Sequence, residues 1–321
     1  MTSGFTGSAT GKSRTAVRQF FRPGGTLASA HPSFELRAGQ MEMAEAVDAA
    51  LSENRKLIVE AGTGTGKTLA YLVPALLSGR RVVISTNTKA LQEQLFFRDI
   101  PFLEKVFDRP LQVCYMKGRS NYACRQKIYD AENTPVLTGL EEVADFEIIR
   151  EWEKTSEIGD RSEIKTLPES STAWAKVDAR TELCSGQKCS NYDRCYITLM
   201  HQRALESDII IVNHHLFFAD LSLKDENYEG GILPDYHAVV FDEAHEIEDV
   251  VGQYFGVSIS NYRFQDLRRD LGVVSRMKKF GTPELDRILQ RLDELTVHFF
   301  GLFGEGDRRV AFTGRDAFRR Q

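Results

Sequence analysis

The stretch "EAGTGTGKT", residues 60–68, decides the fold class. Its three glycines leave backbone N–H groups accessible next to the cation of Lys67 and the hydroxyl of Thr68. A phosphate-binding loop needs four residues between its opening small residue and Gly-Lys-Ser/Thr, so that successive backbone N–H groups surround an anion. The count is correct from Ala61 to Gly66, although the strict template opens with Gly rather than Ala. The stretch therefore predicts a nucleotide-binding P-loop made of Ala61, Gly62, Thr63, Gly64, Thr65, Gly66, Lys67 and Thr68.

The flanks of this loop support the prediction. The apolar run Leu57-Ile58-Val59 precedes the loop and predicts a buried strand. "KTLAYLVPALLS", residues 67–78, predicts a helix whose N-terminal amides face the phosphates. A similar stretch, "GSATGKS" at residues 7–13, has one residue too few and no strand before it. It lies in a Ser-, Thr- and Gly-rich segment, so residues 1–19 are predicted to be a disordered tail.

Short apolar runs recur along the chain and alternate with amphipathic stretches. They are Leu57–Val59, Val82–Ile84, Val113–Tyr115, Ile209–Val212 and Ala238–Phe241. Continuously apolar strands that alternate with helices predict an α/β fold with a parallel sheet covered on both faces. The alternation breaks between about residues 116 and 205, which hold four of the five cysteines and are predicted to form an insertion. After residue 250 the pattern is mostly helical.

The composition is that of an ordinary globular protein. The 321 residues are 42% hydrophobic and 27% charged, and this length allows two or three domains. The net charge of −5 does not by itself indicate nucleic-acid binding. We find no apolar run of 18 residues and no apolar signal core, so we expect no contact with membranes and a cytoplasmic location.

The second half of a nucleotide site is predicted by "HAVVFDEAHEIEDVV", residues 237–251. In P-loop ATPases a carboxylate at a strand end holds Mg²⁺ together with the P-loop hydroxyl, here Asp242 with Thr68, and the lysine, here Lys67, reaches the β- and γ-phosphates of ATP. Glu243 is placed to orient and deprotonate the attacking water. An Asp-Glu pair alone is more often a solvated helix surface, but its position after a predicted buried strand favours the catalytic interpretation.

Several motifs, in the expected order, resemble superfamily 2 helicases. "DEAH" at 242–245 resembles motif II, "FELRAGQMEMAEAV" at 34–47 the Q motif, and "STNTKALQEQL" at 85–95 motif Ia. "KGRSNYAC" at 117–124 and "VNHHLFFAD" at 212–220 resemble the XPD/DinG family of iron–sulfur DNA helicases, most closely its bacterial YoaA-type branch. The resemblance covers about residues 20–260, and Ala38 stands where the family usually has Pro.

The resemblance implies a RecA-like motor domain with insertions. The expected parts are a tail (1–19), the first part of motor domain 1 (20–115), an iron–sulfur insertion (116–205), the rest of that motor domain (206–255) and the truncated start of a helical arch-like insertion (256–321). Gln40 is expected to read the adenine edge, with Arg37 nearby. We expect the chain to be the N-terminal part of a longer enzyme and not to unwind DNA alone.

Four cysteines form a candidate metal site. Cys124, Cys184, Cys189 and Cys195 are 60, 5 and 6 residues apart, and clustered cysteines in a reducing compartment bind metal more often than they form disulfides. The spacing alone leaves zinc and an iron–sulfur cluster equally open. The resemblance implies a [4Fe–4S] cluster at these four positions. Cys114 lies in an apolar strand pattern and is predicted to be a buried hydrophobic residue.

The resemblance also implies an ATP-dependent DNA helicase that moves 5′-to-3′ on single-stranded DNA in repair or replication, with single strands and duplex junctions as partners. Candidate DNA contacts are Thr86, Lys89, Arg119, Asn121, Tyr122, Asn213 and His215, a set with phosphate-binding groups and a stacking face. One alternative is a metal-bearing DNA-binding module with an ATP switch and no unwinding. A P-loop kinase or transferase is a second alternative, which the DEAH box and Gln40 disfavour.

Overall fold

A computed structural model describes most of the chain. The described residues are 9–30, 35, 37–62, 64–133, 139–180, 184–225, 231–255, 260–262, 264–265, 267–268, 271, 275 and 281–301. The chain divides into two compact units, Met1–Phe255 and Gly256–Gln321. The predicted P-loop residue Thr63 lies outside the described residues.

The first unit is built on a parallel sheet. Its strands are β1 (Val82–Thr86), β2 (Val113–Tyr115), β3 (Ile209–Asn213) and β4 (Ala238–Phe241). They lie in the order β2-β3-β1-β4, and every pair is parallel. In this register Ser85 on β1 is level with Val212 on β3 and Phe241 on β4. The predicted α/β class and four of the five predicted strands are confirmed.

Helices connect the strands and cover the sheet. They are α1 (Ala9–Phe21), α2 (Thr26–Ala30), α3 (Ala38–Glu53), α4 (Lys67–Leu77), α5 (Lys89–Gln94), α6 (Ile100–Phe107), α7 (Arg125–Asn133), α8 (Leu140–Glu153), α9 (Thr172–Val177), α10 (Tyr196–Glu206), α11 (His214–Asp225) and α12 (Ile247–Phe255). A π-helical turn over Leu95–Asp99 joins α5 to α6.

Alternate strand residues fill two cores, because successive side chains of a strand point to opposite faces. Val82, Ile84 and Ile209 belong to the core that also contains buried residues of α1, α3, α4 and α6. Val83 and Ile210 belong to the core on the other face, with residues of α10, α11 and α12. All five strand residues are fully buried, as expected for a parallel sheet with helices on both sides.

The predicted strand at Leu57–Val59 is wrong. The side chain of Ile58 is 98% exposed, and no strand covers this run. β4 pairs only with β1, and its residues are half-buried. A cavity of about 930 Å³ is lined by the Leu57–Val59 run on one side and by β4 on the other. Because paired strands must approach to about 4.8 Å, an apolar run separated from the sheet edge by a cavity does not join the ladder.

The predicted disordered tail over residues 1–19 is also wrong where the structure describes it, because Ala9–Phe21 is helical. Val17, Phe20 and Phe21 are at most 2% exposed and pack into the first core. Arg18 on this helix donates two hydrogen bonds, of 2.7 and 3.0 Å, to the carboxylate of Glu45 on α3. The Ser-, Thr- and Gly-rich composition of the segment concealed the i, i+3, i+4 spacing of its apolar residues.

The insertion between β2 and α10 has a small core of its own. Buried residues of α7, α8 and α9, among them Ile128, Ile149 and Trp174, form this third core. A buried ion pair ties the insertion to the sheet, since Lys117 Nζ, just beyond β2, lies 2.7 Å from Asp160 Oδ2. Both side chains are at most 2% exposed, and the Tyr115 hydroxyl donates a 2.8 Å hydrogen bond to the same carboxylate.

The second unit contains a long helix, α13 (Pro283–Gly301). Helix α13 carries an exposed ion pair between Arg291 and Glu294. The predicted helical character of this region is confirmed for the residues of α13. None of the described helices is both long and apolar enough to span a bilayer.

Candidate active site

The carboxyl ends of the parallel strands meet at one edge of the sheet, where open α/β sheets bind their ligands. β4 ends at Phe241, and Asp242 and Glu243 follow directly. The amide of Asp242 donates a 2.8 Å hydrogen bond to the carbonyl of Ser85 on β1, which extends the ladder by one residue. The backbone of the sheet therefore holds the two predicted carboxylates at this edge.

The P-loop reaches the same edge through Lys67. Lys67 is the first residue of α4, and its Nζ lies 3.4 Å from Oε1 of Glu243, 176 residues further along the chain. The loop before Lys67 turns through Gly64 (φ +75°) and Gly66 (φ +82°), angles that favour glycine. Both ends of the Lys67–Glu243 pair are partly exposed, at 29% and 35%, so a ligand can reach them.

Tyr71 is a member of the site that the sequence analysis missed. Its hydroxyl donates a 3.2 Å hydrogen bond to Asp242 Oδ2 and also interacts with the side chain of Thr68. The Tyr71 side chain is 2% exposed, and burial raises the pKa of its hydroxyl well above the usual range. Tyr71 thus joins the two residues predicted to hold Mg²⁺. Its position one helical turn after Thr68 was the available signal.

The carboxyl group of Asp242 is in a partly desolvated position. Burial raises its pKa, the hydrogen bond from Tyr71 lowers it, and the nearby Glu243 raises it further. Lys67 acts in the opposite direction. A divalent cation would relieve the same burial cost, because it stabilises the ionised form of a carboxylate.

Glu243 has an unusual backbone. Its φ of +55° and ψ of +48° lie in the left-handed region, which a residue with a Cβ atom seldom adopts. Such strain costs on the order of 1 to 3 kcal/mol and collects at functional sites. The turn through Glu243 therefore holds the carboxylate in a position that an unstrained chain would not choose.

The Q-motif residues contact the P-loop backbone. Gln40 Nε2 donates a 3.0 Å hydrogen bond to the Gly66 carbonyl, and Arg37 Nη1 donates to the Gly64 carbonyl. A Cβ atom at Gly66 would lie 2.1 Å from Gln40 Nε2, so this approach requires glycine. Within the loop, the Thr65 hydroxyl donates to the Gly62 carbonyl at 2.9 Å. The expected contact of Gln40 with adenine stays a prediction.

The large cavity beside β4 adjoins these groups. Its volume is about 930 Å³, and Lys67, Tyr71, Asp242 and Glu243 lie on its wall. Ala61, the first residue of the P-loop, and apolar residues of α3 such as Val47 also line it. The cavity is large enough for a nucleotide-sized ligand, which typically occupies a pocket of about 300 to 1,000 Å³.

The structure separates the candidate DNA contacts into three groups. Thr86 (0% exposed) and Tyr122 (2% exposed) are buried, and the hydroxyl of Tyr122 accepts a hydrogen bond from the Lys117 amide. These two side chains have no surface to offer a nucleic acid, which corrects the prediction. Packing explains it, since each is a polar side chain that pairs inside the fold.

The second group makes local hydrogen bonds, and the third consists of one exposed and one half-buried side chain. Asn213 accepts from the Leu216 amide at the start of α11, and Asn121 donates to the Gly118 carbonyl. The Arg119 guanidinium donates to the Ala179 carbonyl at 2.8 Å and to Cys184 Sγ at 3.4 Å. Lys89 is exposed, and His215 is half-buried with its ring 6.2 Å from that of Tyr254.

The four candidate metal ligands lie around the starts of two helices. Cys124 directly precedes α7, and Cys195 directly precedes α10. Gln126 Oε1 accepts hydrogen bonds from Ser190 and Asn191, so the loop that carries Cys189 is tied to the first turn of α7. All four thiols are free, and Cys184 is exposed. Within the described ranges, no three metal-ligating side chains are grouped as a metal site.

The fifth cysteine behaves as predicted. Cys114 on β2 is 5% exposed, and it packs in the second core. Burial raises the pKa of its thiol to about 11. By contrast, the pKa of Cys184 is lowered, first by a hydrogen bond from the Gly186 backbone and then by Arg119.

Two buried polar side chains beneath the edge were also missed by the sequence analysis. Ser85 Oγ lies 2.7 Å from His214 Nδ1, and both residues are fully buried. Their location, one at the end of β1 and one directly after β3, could have been predicted from the strand pattern. Their pairing could not, because it depends on the strand order.

Comparison with known proteins agrees with this geometry. The DEAD/DEAH box helicase family model matches residues 41–167. The ATP-dependent DNA helicase YoaA of Haemophilus influenzae is 36% identical over 290 residues, which is 90% of this chain and 45% of that protein. YoaA of Escherichia coli K12 is 37% identical over 285 residues, 89% of this chain and 45% of that protein.

A more distant relative is the ATP-dependent helicase DinG of Mycobacterium tuberculosis, 34% identical over 237 residues, 67% of this chain and 35% of that protein. The chain thus spans less than half the length of these relatives. The family match includes the P-loop, and the relatives are named ATP-dependent helicases, which agrees with a P-loop lysine that meets two carboxylates at one edge of the sheet. Residues 41–167 thus match the DEAD/DEAH box helicase family, and the chain is similar to YoaA and DinG.

Proposed function

We propose that this chain is part of an ATP-dependent DNA helicase and supplies one side of its ATP site. The observation that carries the proposal is the meeting of Lys67, Asp242 and Glu243 at the carboxyl edge of the sheet. A P-loop lysine and two strand-end carboxylates are the groups that phosphoryl transfer to water requires. A kinase site needs no second carboxylate paired with the P-loop lysine.

Each side chain has a distinct role in the proposed hydrolysis. Lys67 leaves Glu243 and neutralises the β- and γ-phosphate oxygens, since a cation gains more from the phosphates than from a half-exposed carboxylate. Glu243 is then free to orient a water molecule and to accept its proton. Thr68 and Asp242 would hold Mg²⁺, with Tyr71 fixing the carboxylate of Asp242. Bound Mg²⁺ supplies charge neutralisation for the phosphate oxygens.

The Q-motif residues position the P-loop in this proposal. Gln40 and Arg37 donate to the carbonyls of Gly66 and Gly64 and so hold the backbone of the loop that would surround the phosphates. Gln40 also reads the adenine edge when nucleotide is bound. The remaining P-loop residues, Ala61, Gly62, Thr63 and Thr65, contact the phosphates through their backbone.

For the cysteines we propose a [4Fe–4S] cluster held by Cys124, Cys184, Cys189 and Cys195. Four free thiols are the donor set that such a cluster takes. The Gly186 backbone and Arg119 favour the thiolate form of Cys184, the form that binds metal. Two of the thiols lie directly before α7 and α10, and the other two lie in the loop that precedes α10. Assembly of the cluster would bring the four thiols together.

The proposed DNA path crosses the same edge as the ATP site. Lys89 is exposed and His215 is half-buried beside Tyr254. Arg119, Asn121 and Asn213 become available if they exchange their local hydrogen bonds for phosphate contacts. A cationic and an aromatic group together fit a single strand better than a duplex. Movement from 5′ to 3′, and action at duplex junctions, follow from the resemblance to the XPD/DinG family.

The test is the dependence of ATP hydrolysis on single-stranded DNA in the complete gene product. A helicase couples the two, so turnover should rise severalfold when an oligonucleotide is added. Lys67→Ala should abolish turnover, and the exposed Lys105→Ala on α6 is the matched control. An ATP turnover rate that is the same with and without DNA would contradict the helicase proposal. Nucleotide binding without hydrolysis would favour the ATP switch instead.

A further inference from the structure

His214 lies between the ATP site and the proposed DNA path. It is the first residue of α11, directly after β3, and its side chain is fully buried. Its sequence neighbours Asn213 and His215 belong to the proposed DNA path. On the other side, its ring centroid is 6.0 Å from that of Phe241, the last residue of β4. One buried imidazole therefore spans the end of β3 and the start of the DEAH segment.

One nitrogen of His214 has a partner and the other has none. Nδ1 lies 2.7 Å from Ser85 Oγ, and the carbonyl of Ser85 accepts the amide of Asp242. Nε2 is buried without a hydrogen-bond partner among the described residues. An unpaired buried polar atom costs about 1 to 3 kcal/mol, so its presence in the fold requires an explanation.

The ring lies beside the DEAH turn, because it contacts Phe241 and because Ser85, its partner at Nδ1, accepts the Asp242 amide. Burial lowers the pKa of His214, while the backbone groups of Asp242 and Glu243 raise it, which is the effect of nearby hydrogen-bond acceptors. A neutral ring whose Nδ1 accepts from the Ser85 hydroxyl carries its proton on Nε2. That N–H is then the free donor of a ring that lies beside the turn through Glu243, whose backbone is left-handed.

We propose that His214 is a positioning residue that couples DNA binding to the DEAH carboxylates, its Nε2–H hydrogen-bonding a backbone carbonyl of Asp242 or Glu243 when nucleotide and DNA are both bound. When DNA binding moves the start of α11, the distance between this N–H and the carbonyl changes. The hydrogen bond in turn selects the backbone conformation of Glu243. The inference rests on the proposed function, because it assumes that both ligands bind this chain.

The test is the mutual effect of the two ligands, since coupled sites change each other's affinity by the same factor. The dissociation constant of a fluorescent single-stranded oligonucleotide is measured with the complete gene product, with and without a non-hydrolysable ATP analogue and Mg²⁺. We expect the two constants to differ about fivefold or more in the parent chain. In His214→Asn the ratio should fall to about one, although each ligand alone still binds within about twofold of the parent.

Two variants separate coupling from simple packing. The side-chain amide of His214→Asn occupies the place of Nδ1 and keeps the Ser85 contact, whereas that of His214→Gln reaches the place of Nε2. We expect His214→Gln to restore much of the coupling, and His298→Asn on α13 to leave it unchanged. A packing role predicts instead that Asn and Gln fail together, in ligand binding and in thermal stability alike.

The outcomes distinguish the two proposals. Binding of both ligands by the parent without any mutual effect overturns the inference and leaves the proposed function standing, and so does a His214→Asn chain that couples as well as the parent. A neutral His214 that carries its proton on Nδ1 in ¹⁵N spectra of the parent also overturns the inference. A complete gene product that binds neither nucleotide nor DNA overturns the proposed function, and the inference falls with it.

Discussion

The ATP edge of the sheet and the cysteine insertion differ in how far the fold alone completes them. At the edge, Lys67 already lies 3.4 Å from Glu243, and Tyr71 already donates to Asp242. In the insertion, four thiols surround the starts of α7 and α10, but the described residues form no grouped metal site. Strand and helix ends fix side chains precisely enough for catalysis, whereas thiols on loops need the metal itself to gather them.

The largest expected effect is at the edge. Glu243→Gln is nearly isosteric but is a poor base, so ATP hydrolysis should fall by about 10²- to 10⁴-fold while nucleotide binding is retained. Steady-state turnover and equilibrium binding of a fluorescent nucleotide measure the two quantities in the complete gene product. Unimpaired turnover in Glu243→Gln would show that this preformed carboxylate is not the base.

The insertion should show an all-or-none response. Protein purified without oxygen is expected to be brown and to contain about four irons per chain, and Cys124→Ser should lose the colour and the iron. Cys114→Ser is the matched control, because Cys114 lies in the sheet core and should leave the iron content unchanged. If protein prepared without oxygen contains one equivalent of zinc and no iron, the four cysteines bind zinc and the iron–sulfur assignment is wrong.

The buried Lys117–Asp160 ion pair, which ties the insertion to the sheet, should contribute strongly to stability. Lys117→Met leaves the buried Asp160 without its cation and should lower the free energy of unfolding by about 3 to 5 kcal/mol, as measured by urea titration. Adding Asp160→Asn should recover part of the loss. The exposed Lys105→Met should change stability by no more than about 0.5 kcal/mol. If Lys117→Met and Lys105→Met lower the free energy of unfolding equally, the buried ion pair contributes no more to stability than an exposed lysine does.

The smallest effect tests the state of the unassembled thiols. In metal-free, reduced protein at pH 8, iodoacetamide should modify Cys184 before Cys114, since alkylation requires the thiolate. The lowered pKa of Cys184 increases its thiolate fraction at this pH. The raised pKa of Cys114, about 11, reduces its thiolate fraction by roughly a hundredfold. Arg119→Ala should slow the reaction at Cys184, as followed by mass spectrometry, and equal rates at both cysteines would contradict the assignment.

The sequence predicted those parts of the fold that depend on local patterns. Four apolar runs became strands because each pairs with a parallel neighbour in the sheet, and Asp242 follows one of them at the sheet edge. Leu57–Val59 has the same pattern but no edge within pairing distance. The helix at Ala9–Phe21 was missed because its apolar side chains are few and lie beside a low-complexity segment. Local composition does not reveal which distant surface is available for packing.

The candidate site was predicted where one short motif carries the chemistry, as in the P-loop and the DEAH box. Contacts that depend on strand order were not predictable. Ser85 meets His214 only because β1 lies beside β3, and Tyr122 is buried only because the insertion folds back onto β2. Surface roles assigned from motif resemblance, such as that of Thr86, fail when packing takes the side chain inward.

The position of the insertion within one connection has an evolutionary consequence. It leaves the sheet after β2 and returns through α10 to β3, and β2 and β3 are neighbours. A chain lacking the third core would still contain β2, a crossover helix and β3 in the order of an ordinary βαβ unit. A single gene insertion could therefore have added the cysteine module to an older motor without altering the strand register. A lineage could lose the module again at the expense of the contacts that Tyr122 and Ala179 make with the second core.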